Sequence, residues 1–159
     1  MKKALITGEQ WAYLAGIFDG EGSVGLAPAH NRYGTLGTYQ LCVTVVCGTH
    51  RPAIEAIKKI VGLHGTINKQ GSPLQPINGK GSRRQAWRLR LYSGHAVWFL
   101  KGVRPYLLMK DKQADIGIAH QAQKPRHGSR CSADRLVRER ASKAELTILN
   151  QRGVPCAAL

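Results

Sequence analysis

The sequence predicts an α+β fold: a four-stranded sheet roofed by helices on one face and open on the other. Two observations carry this. The hydrophobic period switches between helical and alternating in the order helix, strand, strand, helix, strand, strand, then helices. The strands are apolar on one side and polar or basic on the other, as a sheet with one covered face requires. With 159 residues and no visible internal repeat, the chain is read as one domain with its own core. Residues 1–123 form that core, and 124–159 a basic linker with a helical extension of the same domain.

The first helix opens at Thr7-Gly8-Glu9-Gln10, which has capping-box spacing: Thr7 as N-cap, with Gln10 reaching back. Trp11, Leu14, Ile17 and Phe18 recur at helical spacing and face the core. A second stripe, Ala12, Gly16 and Gly20, is small at every fourth position. Glycine inside a helix costs up to ~1 kcal/mol against alanine, so this stripe points to close approach of another backbone. Asp19 and Glu21 follow at the negative end of the helix dipole, where a carboxylate is disfavoured. A bound cation would lift that penalty. The plain alternative is a glycine-rich helix end with two carboxylates in water.

Ser23 to Ala27 alternates weakly, with Val24 and Leu26 on one face and the small residues Ser23, Gly25 and Ala27 on the other. After a loop through Pro28, Asn31 and Gly34, Tyr39 to Val46 reads as a strand. Leu41, Val43 and Val45 point inward, leaving Gln40, Cys42, Thr44 and Val46 outward. A helix starts near Pro52, carries Ile54, Ile57, Ile60 and Val61, and ends at Gly62. Gly65 to Gln70 is a third strand with Ile67 inward and Thr66, Asn68 and Gln70 outward. Gly71 to Ser82 is a loop. From about Arg84 to Tyr92, Trp87, Leu89 and Leu91 alternate with Arg88 and Arg90, the cleanest period of two in the chain. Helices over 95–103, 111–121 and 132–151 complete the order. The last has Val137, Ala141, Ala144 and Ile148 as a partial apolar stripe.

Charge narrows the partner. The chain carries a net charge of +15. From Gly22 to Lys110 there are thirteen Lys or Arg against one acid, Glu55. Such one-sided charge points to a polyanion, nucleic acid first, although a ribosomal protein would show the same excess. No apolar run is long enough to span a membrane, so no membrane partner is expected. Met1-Lys2-Lys3 is not followed by a signal-peptide core, so the chain is expected inside the cell, in a prokaryotic cytoplasm or an organelle, and not secreted. Cys42, Cys47, Cys131 and Cys156 lack zinc-site spacing and are read as reduced thiols.

The stretch Leu14-Ala-Gly-Ile-Phe-Asp-Gly-Glu-Gly22 resembles the signature of the LAGLIDADG homing endonucleases. It occurs once, as in the single-motif members, which act as homodimers. The resemblance spans roughly Thr7 to Gln121. It implies an αββαββα core whose antiparallel sheets saddle the major groove of double-stranded DNA. It also implies a metal-dependent double-strand break at a long, roughly palindromic site, promoting intron mobility. Ala12, Gly16 and Gly20 would line the dimer interface. Glu21, where many members have aspartate, would bind Mg²⁺ together with the Gly20 carbonyl. Mn²⁺ would substitute, and Ca²⁺ would bind without supporting cleavage. Asp19 takes a structural role.

Pro105-Tyr-Leu-Leu-Met-Lys-Asp-Lys-Gln-Ala114 resembles the segment with the family's lysine near the cleavage centre, here Lys110, whereas Lys112 points elsewhere. Between the second strand and second helix the family often has a Gln and a basic residue. Cys47-Gly-Thr-His-Arg51 lacks the glutamine and offers Arg51 for the basic role. For DNA contact the outward strand residues Gln40, Thr44, Asn68, Gln70, Arg84, Arg88 and Arg90 are candidates, since arginine suits guanine edges and Asn or Gln suits adenine. Arg32, Lys69, Lys80 and Arg83, in loops or at strand ends, suit phosphates. The alternatives on the same fold are an RNA-splicing maturase with intron RNA as partner and a non-catalytic DNA-binding regulator.

Overall fold

Thr7 caps the first helix, α1 (Gly8–Glu21), through the reciprocal pair the spacing predicts. Its Oγ1 accepts from the Gln10 N–H at 3.3 Å, and Gln10 Oε1 accepts from the Thr7 N–H at 3.0 Å. The computed structural model describes residues 5–29, 38–62, 65–70, 85–124 and 132–151. Leu14, Ala15 and Phe18 of α1 are fully buried. Phe18 meets Phe99 edge-on, and Trp11 meets Trp98 in the same way, with centroids 5.4 and 5.2 Å apart. Trp11 also lies against Gly102, where any Cβ would come within 2.4 Å of its ring.

The sheet contains β1 (Ser23–Pro28), β2 (Tyr39–Gly48), β3 (Thr66–Gln70) and β4 (Ala86–Tyr92), in the order β1-β2-β4-β3, with every neighbouring pair antiparallel. Register aligns Val24 with Val43, Leu26 with Leu41, Val43 with Leu91 and Ile67 with Leu89. These residues make the inner face. Side chains of α2 (Arg51–Val61), α3 (Ser93–Val103) and α4 (Asp111–Ala122) join them in one core that includes Ile54, Ile57, Phe99, Leu100 and Ala114. The four-stranded α+β sheet roofed by helices is therefore the observed architecture.

One expectation for β2 fails. The register shifts between Thr44 and Val46, so that Thr44 pairs with Arg90 but Val46 with Leu89. This extra residue is a β-bulge. It turns Val46 inward, buried beside Val45, and not outward as strict alternation predicts. Cys47, paired with Arg88, then joins the outer face.

The last helix, α5 (Ala133–Leu149), lies against α4 and β1. Its apolar stripe does not make the contact: Val137 and Ile148 are exposed, and the helix docks through Leu146 and Glu139. The Glu139 carboxylate accepts the Tyr39 N–H at 2.6 Å and pairs with Arg135 at 2.7 Å. Asn150 donates to the Val24 carbonyl at 2.8 Å. The Tyr39 carbonyl in turn takes the Lys124 ammonium and lies 3.2 Å from His120 Nε2. These polar contacts satisfy the backbone at the start of β2, which explains why a polar face was selected for docking.

A second tie joins α1 to the entry of α4. The nearly buried Asp19 carboxylate accepts the backbone N–H groups of Leu108, Met109 and Lys110 at 2.8, 3.3 and 3.0 Å. The Lys110 ammonium donates back to the Asp19 carbonyl.

Two outcomes follow for stability. Asp19→Asn replaces one acceptor oxygen by a donor facing N–H groups. It should lower the unfolding free energy by about 2–4 kcal/mol in urea titrations, since charge-assisted bonds at a part-buried site are lost. His120 is held below its ordinary 6.5, chiefly by burial. A depressed histidine leaves the unfolded chain binding more protons, so stability is full above about 6.5 and falls as pH drops below it. Glu139, held low by the Tyr39 N–H and Arg135 despite its burial, extends that loss at lower pH, through the carboxylate range. Urea titrations of wild type and His120→Gln between pH 7.5 and 5.5 should show a shallower decline in the variant.

Candidate nucleic-acid interface and active centre

The outer face of the sheet has no apolar stripe to cover. Across its middle, Thr44 lies beside Arg90, Cys47 beside Arg88, Thr66 beside Arg90 and Asn68 beside Arg88. On β1 the outward residues Ser23, Gly25 and Ala27 are small, which leaves the neighbouring strand's side chains in relief. Among the described residues Arg88 Nε and Arg90 Nε are buried donors without a hydrogen-bond acceptor. A donor in that state is costly. Gln40, Thr44, Asn68, Gln70, Arg88 and Arg90 are thus brought to one surface, as the alternation predicts. Arg32, Lys80, Arg83 and Arg84 lie outside the described residues.

Lys69 pairs in register with Trp87, on the helix side, and its ammonium lies 5.7 Å from that ring. Arg51 stacks over the same indole at 4.5 Å and pairs with Glu55 at 2.7 Å. The tryptophan therefore gathers two cations at the edge of the sheet, an arrangement that no spacing in the sequence signals.

Glu21 ends α1 with its side chain exposed. Its charge reaches two groups from different elements. Burial holds the Lys110 ammonium below its ordinary range, opposed by the charges of Asp19 and Glu21. Burial also pushes the Cys47 thiol up, against the pull of Arg88 and with Glu21 acting in the same upward direction. Cys47 Sγ contacts Gln70 Oε1. Glu21 thus follows the Asp19–Lys110 tie by two residues, and its charge acts on groups at that tie and at the end of β2. Sequence reasoning left Cys47 without a role, because the bulge that carries it to the outer face leaves no mark in the hydrophobic pattern.

The oxygen donors at this point suit a hard divalent cation. Asp19 spends its carboxylate on backbone N–H groups and its carbonyl on Lys110. The Phe18 carbonyl accepts the Gly22 N–H. Because α1 stops at Glu21, the Gly20 carbonyl has no intrahelical donor, and Glu21 is the next residue in the chain. Among the described residues there is no group of three or more His, Cys, Asp or Glu able to hold a metal. One carboxylate with one carbonyl is the sparse protein contribution that Mg²⁺ accepts, its other ligands being water and phosphate oxygens.

No protein-family model and no curated protein sequence matches the chain. Solved structures do. The homing endonuclease I-CvuI in complex with its target (Sro1.3), in the presence of 2 mM Ca, aligns with a TM-score of 0.68 and 20% identity over 93% of this chain and 85% of that chain. I-CvuI in complex with the I-CreI target (C1221), in the presence of 2 mM Mg with the DNA not cleaved, gives 0.67 and 19% over 92% and 85%. At this identity the likeness speaks for architecture, and this chain has the α+β fold of a LAGLIDADG homing endonuclease.

Proposed function

We propose that the protein is a homodimeric, metal-dependent DNA endonuclease of the homing type, working inside the cell or organelle that holds its target and promoting intron mobility. The observation that carries this reading is Glu21: an exposed carboxylate at a helix end, two residues beyond the Asp19 carbonyl that holds Lys110, with its charge acting on Lys110 and on Cys47 of the outer sheet face. In a regulator that only binds DNA, an anion there would repel the phosphates and serve no purpose.

On this reading Glu21 and the Gly20 carbonyl hold Mg²⁺, with Mn²⁺ able to replace it and Ca²⁺ binding without turnover. The ion supplies charge neutralisation at the scissile phosphate and lowers the pKa of bound water. The chain's own groups do the rest. Lys110, anchored through the Asp19 carbonyl, sets a positive charge beside the reacting phosphate. Arg51, held by Glu55 and Trp87, adds positive charge near the end of β2. Arg88 and Arg90, side by side with Thr44, Thr66 and Asn68 on the outer face, take acceptors on the DNA. Asn68, Gln70, Gln40 and Thr44 meet base edges in the major groove, which admits a β-ribbon. Lys69, turned to the helix side over Trp87, is assigned to a phosphate at the edge of the sheet and not on its outer face, and Arg32, Lys80, Arg83 and Arg84 are assigned to the DNA on charge and sequence position alone.

The small stripe of α1 supports the dimer. Gly16 and Gly20 are exposed, and a Cβ at either would meet nothing within 4 Å in this chain. The chain's own packing therefore gives no reason for them, whereas a second α1 packed there would. Two copies would bring two Glu21 carboxylates together, a repulsion that bound cations remove. A two-fold protein reads a roughly palindromic target.

The decisive variant is Glu21→Gln, assayed on duplex sites selected by the wild type. Cleavage in Mg²⁺ should fall by about 10³-fold or more, while DNA affinity in Ca²⁺ stays within a few-fold. Glu21→Asp should retain part of the activity, and EDTA should abolish it in all forms. Equal cutting by Glu21→Gln and wild type would overturn the metal assignment. Wild-type binding of DNA without cleavage would favour the regulator, and selective binding of intron RNA the maturase. For the dimer, sedimentation should give twice the chain mass for wild type and a monomer or insoluble protein for Gly16→Leu. A wild type that stays monomeric at micromolar concentration, with and without DNA, excludes the interface.

A further inference from the structure

Among the described residues, Ser93 is the one non-glycine residue with positive φ, at 48°. This left-handed backbone crowds a Cβ against the following carbonyl, and glycine adopts it without that strain. A glycine stands at the very next position, Gly94, yet the turn is made at the serine. The N-cap of α3, Tyr92, makes no side-chain cap bond. The Ser93 hydroxyl goes to the sheet: Gln40 Nε2 donates to Ser93 Oγ at 2.8 Å.

Alternation explains what the turn achieves. Tyr92 pairs with Cys42 on the outer face, so a strand continued by one residue would send position 93 to the helix side. The left-handed turn returns Oγ to the outer face, where Gln40 stands beside the small Ala27. A glutamine carboxamide has two N–H donors and a carbonyl acceptor. Ser93 occupies one donor and leaves the acceptor and the second donor for a ligand. That remaining pair matches the N6–H and N7 of adenine, provided the amide plane is held in line with the base edge.

We propose that Ser93 is a positioning residue for base recognition: its hydroxyl fixes the Gln40 carboxamide so that Gln40 reads an adenine in each half of the DNA site. This rests on the reading of the outer sheet face as the DNA surface. Backbone strain is kept at Ser93 because the hydroxyl is needed there.

Selection from a randomised duplex library tests it, with wild type, Gln40→Ala, Ser93→Ala and Ser93→Gly compared position by position. Wild type should prefer adenine at one position per half-site by about 5- to 150-fold, and Gln40→Ala should flatten that position. Both serine variants should reduce the same preference to less than about a third of the wild-type ratio and leave the other positions unchanged. Ser93→Gly also relieves the backbone, so its melting temperature should match or exceed wild type, which separates lost selectivity from lost folding. Serine variants that keep the preference, or that flatten all positions alike, overturn the inference, as does a Gln40→Ala variant that changes no position. A wild type that selects no sequence at all overturns the DNA reading itself; selection sensitive to Gln40→Ala but not to Ser93 sinks only the role of Ser93.

Discussion

The arrangement of this protein depends on a single carboxylate. Asp19 lies at the end of α1, yet it binds the three backbone N–H groups that lead into α4, some ninety residues later in the chain. Their acceptor comes from outside α4: Lys110 is its N-cap, and Leu108 and Met109 are the two residues before it. Supplying that acceptor from another helix fixes two elements to each other, and with them the two groups proposed for chemistry. Glu21 follows Asp19 by two residues on one side of the tie, and Lys110 is part of the tie on the other. Their separation is therefore set by backbone geometry and not by the reach of flexible side chains.

The electrostatics have the same economy. A net charge of +15 over 159 residues is distributed so that the open sheet face carries Arg88 and Arg90, while the carboxylates largely stay away from it. Asp111 and Asp115 pair with Arg104, Glu55 with Arg51, and Glu139 with Arg135. Glu21 is the exception, an anion left exposed at the rim of a cationic surface, and the helix dipole behind it adds to its isolation.

Much of this was legible in the sequence where the signal is periodic or local. The Thr7–Gln10 box, the alternation from Trp87 to Leu91 and the inward Ile67 depend on neighbours within a few residues, and all three hold. The role of Asp19 was legible only as structural, because its partners lie far along the chain. Three features were hidden for physical reasons. The bulge at Thr44/Val46 adds a residue without changing the run of β-branched side chains, so Val46 reads as outward. The α5 stripe reads as a docking face, but the orphan backbone at Tyr39 draws the polar side of the helix inward. Trp87 alternates correctly, yet its capture of Arg51 and Lys69 depends on how α2 and β3 converge, which no single segment encodes.

The bulge in β2 also governs how this surface is open to redesign. It divides the strand into two reading frames, one up to Thr44 and one from Val46 onward, whose outward positions have opposite parity. A library that varied every second residue of β2 as a continuous strand would alter Gln40, the buried Cys42 and Thr44 on the outer side of the sheet and then Val46 in the core. Retargeting has to change phase at the bulge, passing from Thr44 to Cys47. The two frames also differ in their neighbours: Gln40 of the first bonds Ser93, and Cys47 of the second contacts Gln70.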